Sequence, residues 1–231
     1  MTLQEAPLST PSTPEPNTDP QAVVDLLGVL AYGELTAFDR LAYDARLAPT
    51  LAGRAALAGM AAAEIGHFQR LRERLTQLGA DPEEAMLPFV EVFDSFHATT
   101  APSTWLESLV KAYVGDGIAA DFYREIAGFL DASTRELVLE VLADSGHSEF
   151  AVREVRAAIA ADPTLAGRLS LWARRLVGEA LSQAQRVAAE RDALTMLLVG
   201  GEAGDLTGIA ALLKRITSAH TARMQTIGLS G

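Results

Sequence analysis

Two four-residue stretches, Glu64-Ile65-Gly66-His67 and Asp144-Ser145-Gly146-His147, share one pattern of carboxylate, any residue, glycine and histidine. Each has a single acid upstream: Glu34 lies 30 positions before Glu64, and Asp116 lies 28 before Asp144. Both lone acids follow a glycine, in Gly33-Glu34 and Gly115-Asp116. On an α-helix, positions i and i+3 share a face, so each carboxylate and its histidine can grip one ion. Two such grips and two single carboxylates form the ligand set of a two-metal site inside a four-helix bundle. The candidate ligands are Glu34, Glu64, His67, Asp116, Asp144 and His147.

Solvated surface acids would not interrupt apolar stripes, and these interrupt one in each expected helix. Glu34 falls on the seam Leu27, Leu30, Phe38 and Leu41. Glu64 and His67 sit in the middle of Leu57, Met60, Leu71 and Leu78. Asp116 divides Leu109, Ala112, Ala119, Tyr123, Ile126 and Leu130, and Asp144 and His147 divide Leu137, Val141, Ala151 and Val155. Four carboxylates gathered in a core repel one another, by about 4 kcal/mol for a pair ~4 Å apart at an effective dielectric of ~20. Two divalent cations balance four such charges and leave the imidazoles neutral. The expected cofactor is therefore a pair of metal ions.

The elements that must position these groups read as helices throughout. The first runs from Asp19, its N-cap, to about Leu47, and the second from Pro49 to the stop at Gly79. Asp81 to Pro102 reads as a long crossover with a short helical piece near Glu83 to Leu87. Ser103 caps a third helix to about Leu130, and a fourth follows from Asp131 or Ser133 to Ala161. A long fifth helix spans Thr164 to Val199 before Gly200-Gly201, and 205–227 forms a last one. No strand-like alternation is present, so the fold class is all-α, a four-helix bundle with additional C-terminal helices. The halves read as a repeat: the lone acids are offset by 82 positions, the pairs by 80, and Asp39 and Asp121 each follow a lone acid by five.

Glycines flank the ligands at Gly33, Gly66, Gly115, Gly117 and Gly146, where each costs about 1 kcal/mol relative to alanine in a helix. The expectation is that bare backbone lets helices that carry the shorter Asp approach the metals. His97 reads as a loop residue, His220 as structural or exposed, and Glu179 as a helix-surface acid. Tyr32, Tyr113 and Tyr123 read as core aromatics.

The 231 residues suffice for one substantial core, spanning about 20–199. The start, 1–19, carries five prolines with its neighbour Pro20 among Ser and Thr and reads as a disordered tail rather than a signal peptide. Cysteine is absent, which excludes disulfides and thiolate metal sites. No uncharged apolar stretch reaches membrane-spanning length, and a cytoplasmic location is the default expectation. The net charge of −11 argues against non-specific nucleic-acid binding.

With these residues in place, the chain resembles the ferritin-like diiron-carboxylate superfamily. Leu109-Val110-Lys111-Ala112-Tyr113-Val114-Gly115-Asp116-Gly117 and Gly178-Glu179-Ala180-Leu181-Ser182-Gln183-Ala184-Gln185 look more narrowly like the MiaE-like family, related to a tRNA hydroxylase. The likeness covers Gln21 to Leu198. It implies two irons, with manganese the alternative, bridged by Glu64 and Asp144 and held terminally by Glu34, Asp116 and the histidines. It further implies oxygen activation with an external electron donor and hydroxylation of a modified adenosine in tRNA. The competing expectations are an iron oxidase or iron-handling protein and a dimanganese catalase. A small oligomer, rather than a cage, goes with the hydroxylase.

Overall fold

The computed structural model describes residues 19–142, 147–198 and 206–230. The Pro-rich tail before Asp19, Asp144 with Gly146, and the stop at Gly200-Gly201 lie outside the described residues. All regular structure among the described residues is helical.

Helix α1 (Pro20–Asp44) begins where the sequence sets its signal: the Asp19 side chain accepts from the Gln21 N–H, with Pro20 in the first turn. A short 3-10 turn, Ala45–Leu47, ends the segment. Helix α2 (Leu51–Gln77) is capped by Thr50, whose hydroxyl accepts from Gly53 N–H, so it starts two residues after Pro49. Gly79 closes it in the left-handed region, at φ 77°. The two helices lie side by side along their length. They enclose a core containing Leu26, Leu27, Leu30, Leu71 and Leu75, each nearly or wholly excluded from solvent.

The crossover is more helical than its sequence suggests. Asp81 caps α3 (Pro82–Met86) by accepting from Glu83 and Glu84 N–H. After a 3-10 turn at Leu87–Phe89, α4 (Val90–Thr99) follows. Phe89, Val92, Phe93 and Phe96 carry the 3-4 spacing of an amphipathic helix, and burying Phe89 and Val92 outweighs the local turn signals. His97 therefore stands on a helix and not in a loop.

Helix α5 (Trp105–Ala127) is capped by Thr104 rather than Ser103. The Thr104 hydroxyl accepts from Glu107 N–H while the Glu107 carboxylate accepts from Ser103 N–H. The expected fourth helix is described as two, α6 (Ala132–Val141) and α7 (His147–Ala161). The fifth is also divided: α8 (Thr164–Glu190) breaks at Arg191, whose φ of −130° and ψ of 79° are not helical, and α9 (Asp192–Leu198) turns back onto α1. Helix α10 (Leu206–Ile227) packs on α5 and α7.

The segment Pro20–Leu47 is long and apolar enough to cross a membrane by length and composition, yet it carries Asp25, Glu34, Asp39 and Arg40, so the expectation that no uncharged stretch reaches that length is unchanged. Over half of its apolar window is buried within the fold, as a core helix requires.

Candidate metal centre

Three of the six expected ligands come together. Glu34 projects from α1, and Glu64 and His67 project one turn apart from α2. Their ligand atoms all lie within 4.8 Å of one another. His67 Nδ1 is 3.3 Å from Glu34 Oε2 and 3.3 Å from Glu64 Oε2. The three side chains are 10–15% exposed, far less than a solvated ion pair would be.

The electrostatics follow from that burial. Desolvation raises the Glu34 pKa well above the ordinary carboxylate range. Its hydrogen bond with His67 opposes the rise, and its contact with Glu64 adds to it. Hydrogen bonds that His67 donates to Glu34 and then Glu64 push it up to about 9, against the pull of its own burial. The proton is thus held on His67, between two acids. Tyr123, buried on α5, has its phenol pKa raised by burial first and by the Glu34 charge second, so it lies along the same cluster.

Two carboxylates and one imidazole facing a common point suit a divalent first-row metal. The fit is supported by the raised Glu34 pKa: a buried carboxylate beside a second one lacks positive charge, and His67 alone supplies it as a proton. A cation at this point would take over that role and release the imidazole as a neutral ligand.

Of the second half's expected ligands, only the Asp116 side chain is among the described residues. Asp116 is exposed on α5, so the seam through Leu109 and Tyr123 opens to solvent at this position. The expectation that every ligand is buried is corrected here. Asp144 lies outside the described residues. His147 is described only as the first residue of α7.

The glycine expectation is also revised. A Cβ at Gly66 or Gly115 would meet nothing within 4 Å, and one at Gly33 would make ordinary contact with Phe93 at 3.4 Å. These glycines do not mediate close helix approach. The close approach is at Gly28, where a Cβ would collide with the Ala85 carbonyl of α3. At Gly117 it would collide with the Arg223 side chain of α10.

Several charged groups had no signal in the periodic pattern. Lys111 is buried, donates to the Thr100 carbonyl at 2.9 Å and lies over the Phe96 ring. Burial lowers its pKa to about 8 despite the nearby Asp44 charge. His97 is pushed down to about 3 by burial, then by the Lys111 and Arg40 charges, and is neutral. His220 is buried, and Glu179 is half-buried on α8. Tyr32 donates to Asp94 Oδ1 and Tyr113 to the Arg223 carbonyl. Asp39 pairs with Arg40 at the surface, and Asp121 with Arg223.

The helical architecture and the carboxylate-histidine cluster define a ferritin-like protein. The family model Ferritin_fold-like, a ferritin-like domain of actinomycetes, matches residues 18–201, and the chain belongs to that family. A solved structure, protein 19 with aldehyde deformylating oxidase activity from Synechococcus, is similar with a TM-score of 0.70 at 20% identity, covering 91% of each chain. At that identity the likeness establishes the shared fold. The narrower resemblance to the MiaE-like proteins is not shown by either comparison. A search of curated proteins gave no match.

Proposed function

We propose that the chain is a two-metal, oxygen-activating oxidase of the ferritin-like fold, with iron as its metal and manganese as the alternative. The observation that carries this reading is the buried convergence of Glu34, Glu64 and His67 within 4.8 Å. These three would hold one ion and share in a second. Asp116, Asp144 and His147 complete the set by their matching sequence pattern. When bound, the metal pair supplies the electrons and Lewis acidity that dioxygen chemistry requires.

The chain's own part is to hold and shield. Glu34 and Glu64 offer oxygen ligands from two helices that pack together along their length, which fixes the distance between them. His67 presents Nδ1 and must give up the proton it holds there when an ion enters. Leu27, Leu30 and Phe38 share the α1 seam with Glu34, and the buried Tyr123 of α5 lies close enough to feel the Glu34 charge; these apolar side chains would limit water. The similar Synechococcus protein acts on aldehydes. We extend this to a small organic substrate oxidised beside the metal pair, in a cytoplasmic protein of small oligomeric state that draws electrons from an external donor. Hydroxylation of tRNA fits less well, because a net charge of −11 opposes a polyanionic partner.

Metal analysis after iron and manganese supplementation tests the reading. The expected result is two ions per chain, lost in Glu64→Ala and in His67→Ala, with oxygen consumption that depends on the loaded metal. A single ion per chain, or full loading in both variants, overturns the ligand assignment. A large shell that takes up many ferric ions per chain overturns the oxidase in favour of iron storage.

A further inference from the structure

The face of α5 that carries Tyr113, Gly117 and Asp121, at successive intervals of four, is covered by α10. Tyr113 donates to the Arg223 carbonyl, Arg223 Nη1 donates to Asp121 Oδ2, and Arg215 pairs with Glu125 one turn further along. Arg223 lies flat against the bare backbone of Gly117, because a Cβ there would collide with it.

This packing uses one corner of the guanidinium and leaves its best edge unused. Arg223 Nε and Nη2 are both fully buried and have no hydrogen-bond partner. They are the two parallel N–H groups that form the side-on fork, the geometry that binds a planar oxyanion in bidentate fashion. His220, one turn before Arg223 on α10 and 8% exposed, has its Nδ1 buried without a partner. A buried donor left unpaired costs about 1–3 kcal/mol, and more when it is charged, so the two Arg223 N–H groups call for an acceptor, and His220 Nδ1 in its N–H tautomer would add a third donor.

We propose that Arg223 and His220 form a binding site for a small organic monocarboxylate between α5 and α10. The fork takes both carboxylate oxygens, and His220 Nδ1, as the N–H tautomer, donates to one of them. Charge selects the ligand. Two guanidinium groups, Arg223 and the half-exposed Arg124, share a single carboxylate, Asp121, so this trio carries a net positive charge. Burial lowers the His220 pKa and the Arg223 charge lowers it further, so the imidazole adds a donor and no charge. A single negative charge matches this balance better than a dianionic phosphate. The Arg223 side chain is 19% exposed, so part of it reaches solvent while the fork nitrogens are buried. The site is separate from the proposed metal ligands and does not depend on the oxidase reading.

The test is a titration of full-length, metal-loaded protein with sodium acetate, and in parallel with sodium chloride and sodium phosphate at constant ionic strength. The arginine Nε–H resonances are followed by NMR. The expected result is a saturable one-to-one shift of the Arg223 Nε–H with acetate. Arg223→Lys, which keeps the charge facing Asp121 but lacks the fork, should weaken binding at least tenfold, and His220→Gln by a smaller factor. Glu64→Ala should bind acetate as the parent does, which separates this site from carboxylate landing on the metals. The proposal is overturned if acetate gives no saturable shift, if phosphate or chloride binds as tightly, or if Arg223→Lys retains parental affinity.

Discussion

Gly28→Ala isolates the contact that sets the position of α1, and its effect can be worked from the structure. The added Cβ would collide with the Ala85 carbonyl oxygen and stand 2.8 Å from its carbonyl carbon, while Ala85 Cβ lies at 3.3 Å. Carbon atoms settle about 3.5–4.0 Å apart, so α1 and α3 must separate by about 1 Å. The obstacle is backbone, which cannot rotate away as a long side chain would. Overpacking of this kind costs about 1–3 kcal/mol, against a gain of about 1 kcal/mol from replacing a helical glycine by alanine. The expected net loss is up to about 2 kcal/mol.

The displacement also reaches the metal centre. Glu34 lies six residues further along α1, about 9 Å at the helical rise, and moves with it. Metal sites tolerate ligand displacements of only about 0.2 Å, so ion affinity should fall at least tenfold. Gly66→Ala is the matched control: it lies in α2 beside His67, its Cβ meets nothing within 4 Å, and it should stabilise by up to about 1 kcal/mol. Urea unfolding of both variants, with and without metal, provides the measurement. Gly28→Ala as stable as the parent, or Gly66→Ala equally damaging, would refute the packing argument.

The proton held on His67 competes with metal, so ion affinity should rise about tenfold per pH unit from pH 7 toward about 9 and then level off; calorimetric titration at three pH values checks it. A raised pKa on a base stabilises the metal-free fold fully below pH 6.5 and is lost as pH rises through about 9. The contribution is about 1–2 kcal/mol after solvent screening, and a flat difference between parent and His67→Ala across that window would contradict it. Lys111 acts in the opposite sense: its lowered pKa suppresses stability below about pH 8 and releases it between 8 and 10.5, by at most about 3 kcal/mol. Lys111→Met should abolish that rise in pH-dependent unfolding. Gly117→Ala should destabilise by displacing Arg223, and the loss should shrink in the Arg223→Ala background, a coupling read from a double-mutant cycle.

Glu34, Glu64 and His67 were legible because a polar residue inside an apolar stripe is a local, periodic signal. Asp19 was legible as a cap for the same reason, since its partner is two residues away. The helicity of α4 was present in the spacing of Phe89, Val92, Phe93 and Phe96 but was obscured by surrounding turn residues. Contacts between distant elements left no such trace. Gly28 meets Ala85 and Gly117 meets Arg223, and neither partner can be inferred from the glycine's neighbours. Flanking a ligand therefore identified one close-packed glycine, Gly117, but not Gly28, and it wrongly included Gly33, Gly66 and Gly115.

The repeat shows where sequence pattern stops determining structure. Asp39 and Asp121 occupy equivalent places, five residues after Glu34 and Asp116, yet their environments differ. Asp39 is exposed and pairs with its neighbour Arg40, while Asp121 is largely shielded and holds Arg223 from α10. In the first half, α1 and α2 pack on each other along their length and bring Glu34 onto Glu64 and His67. In the second, α5 packs on α7, the counterpart of α2, and also on α8 and α10, which follow the repeated motif. A helix with several neighbours divides its surface among them. The C-terminal helix takes the face of Tyr113, Gly117 and Asp121, and Asp116 is left at an open edge. The C-terminal addition, outside the repeated motif, thus gives Asp39 and Asp121 different surroundings at equivalent places in the two halves.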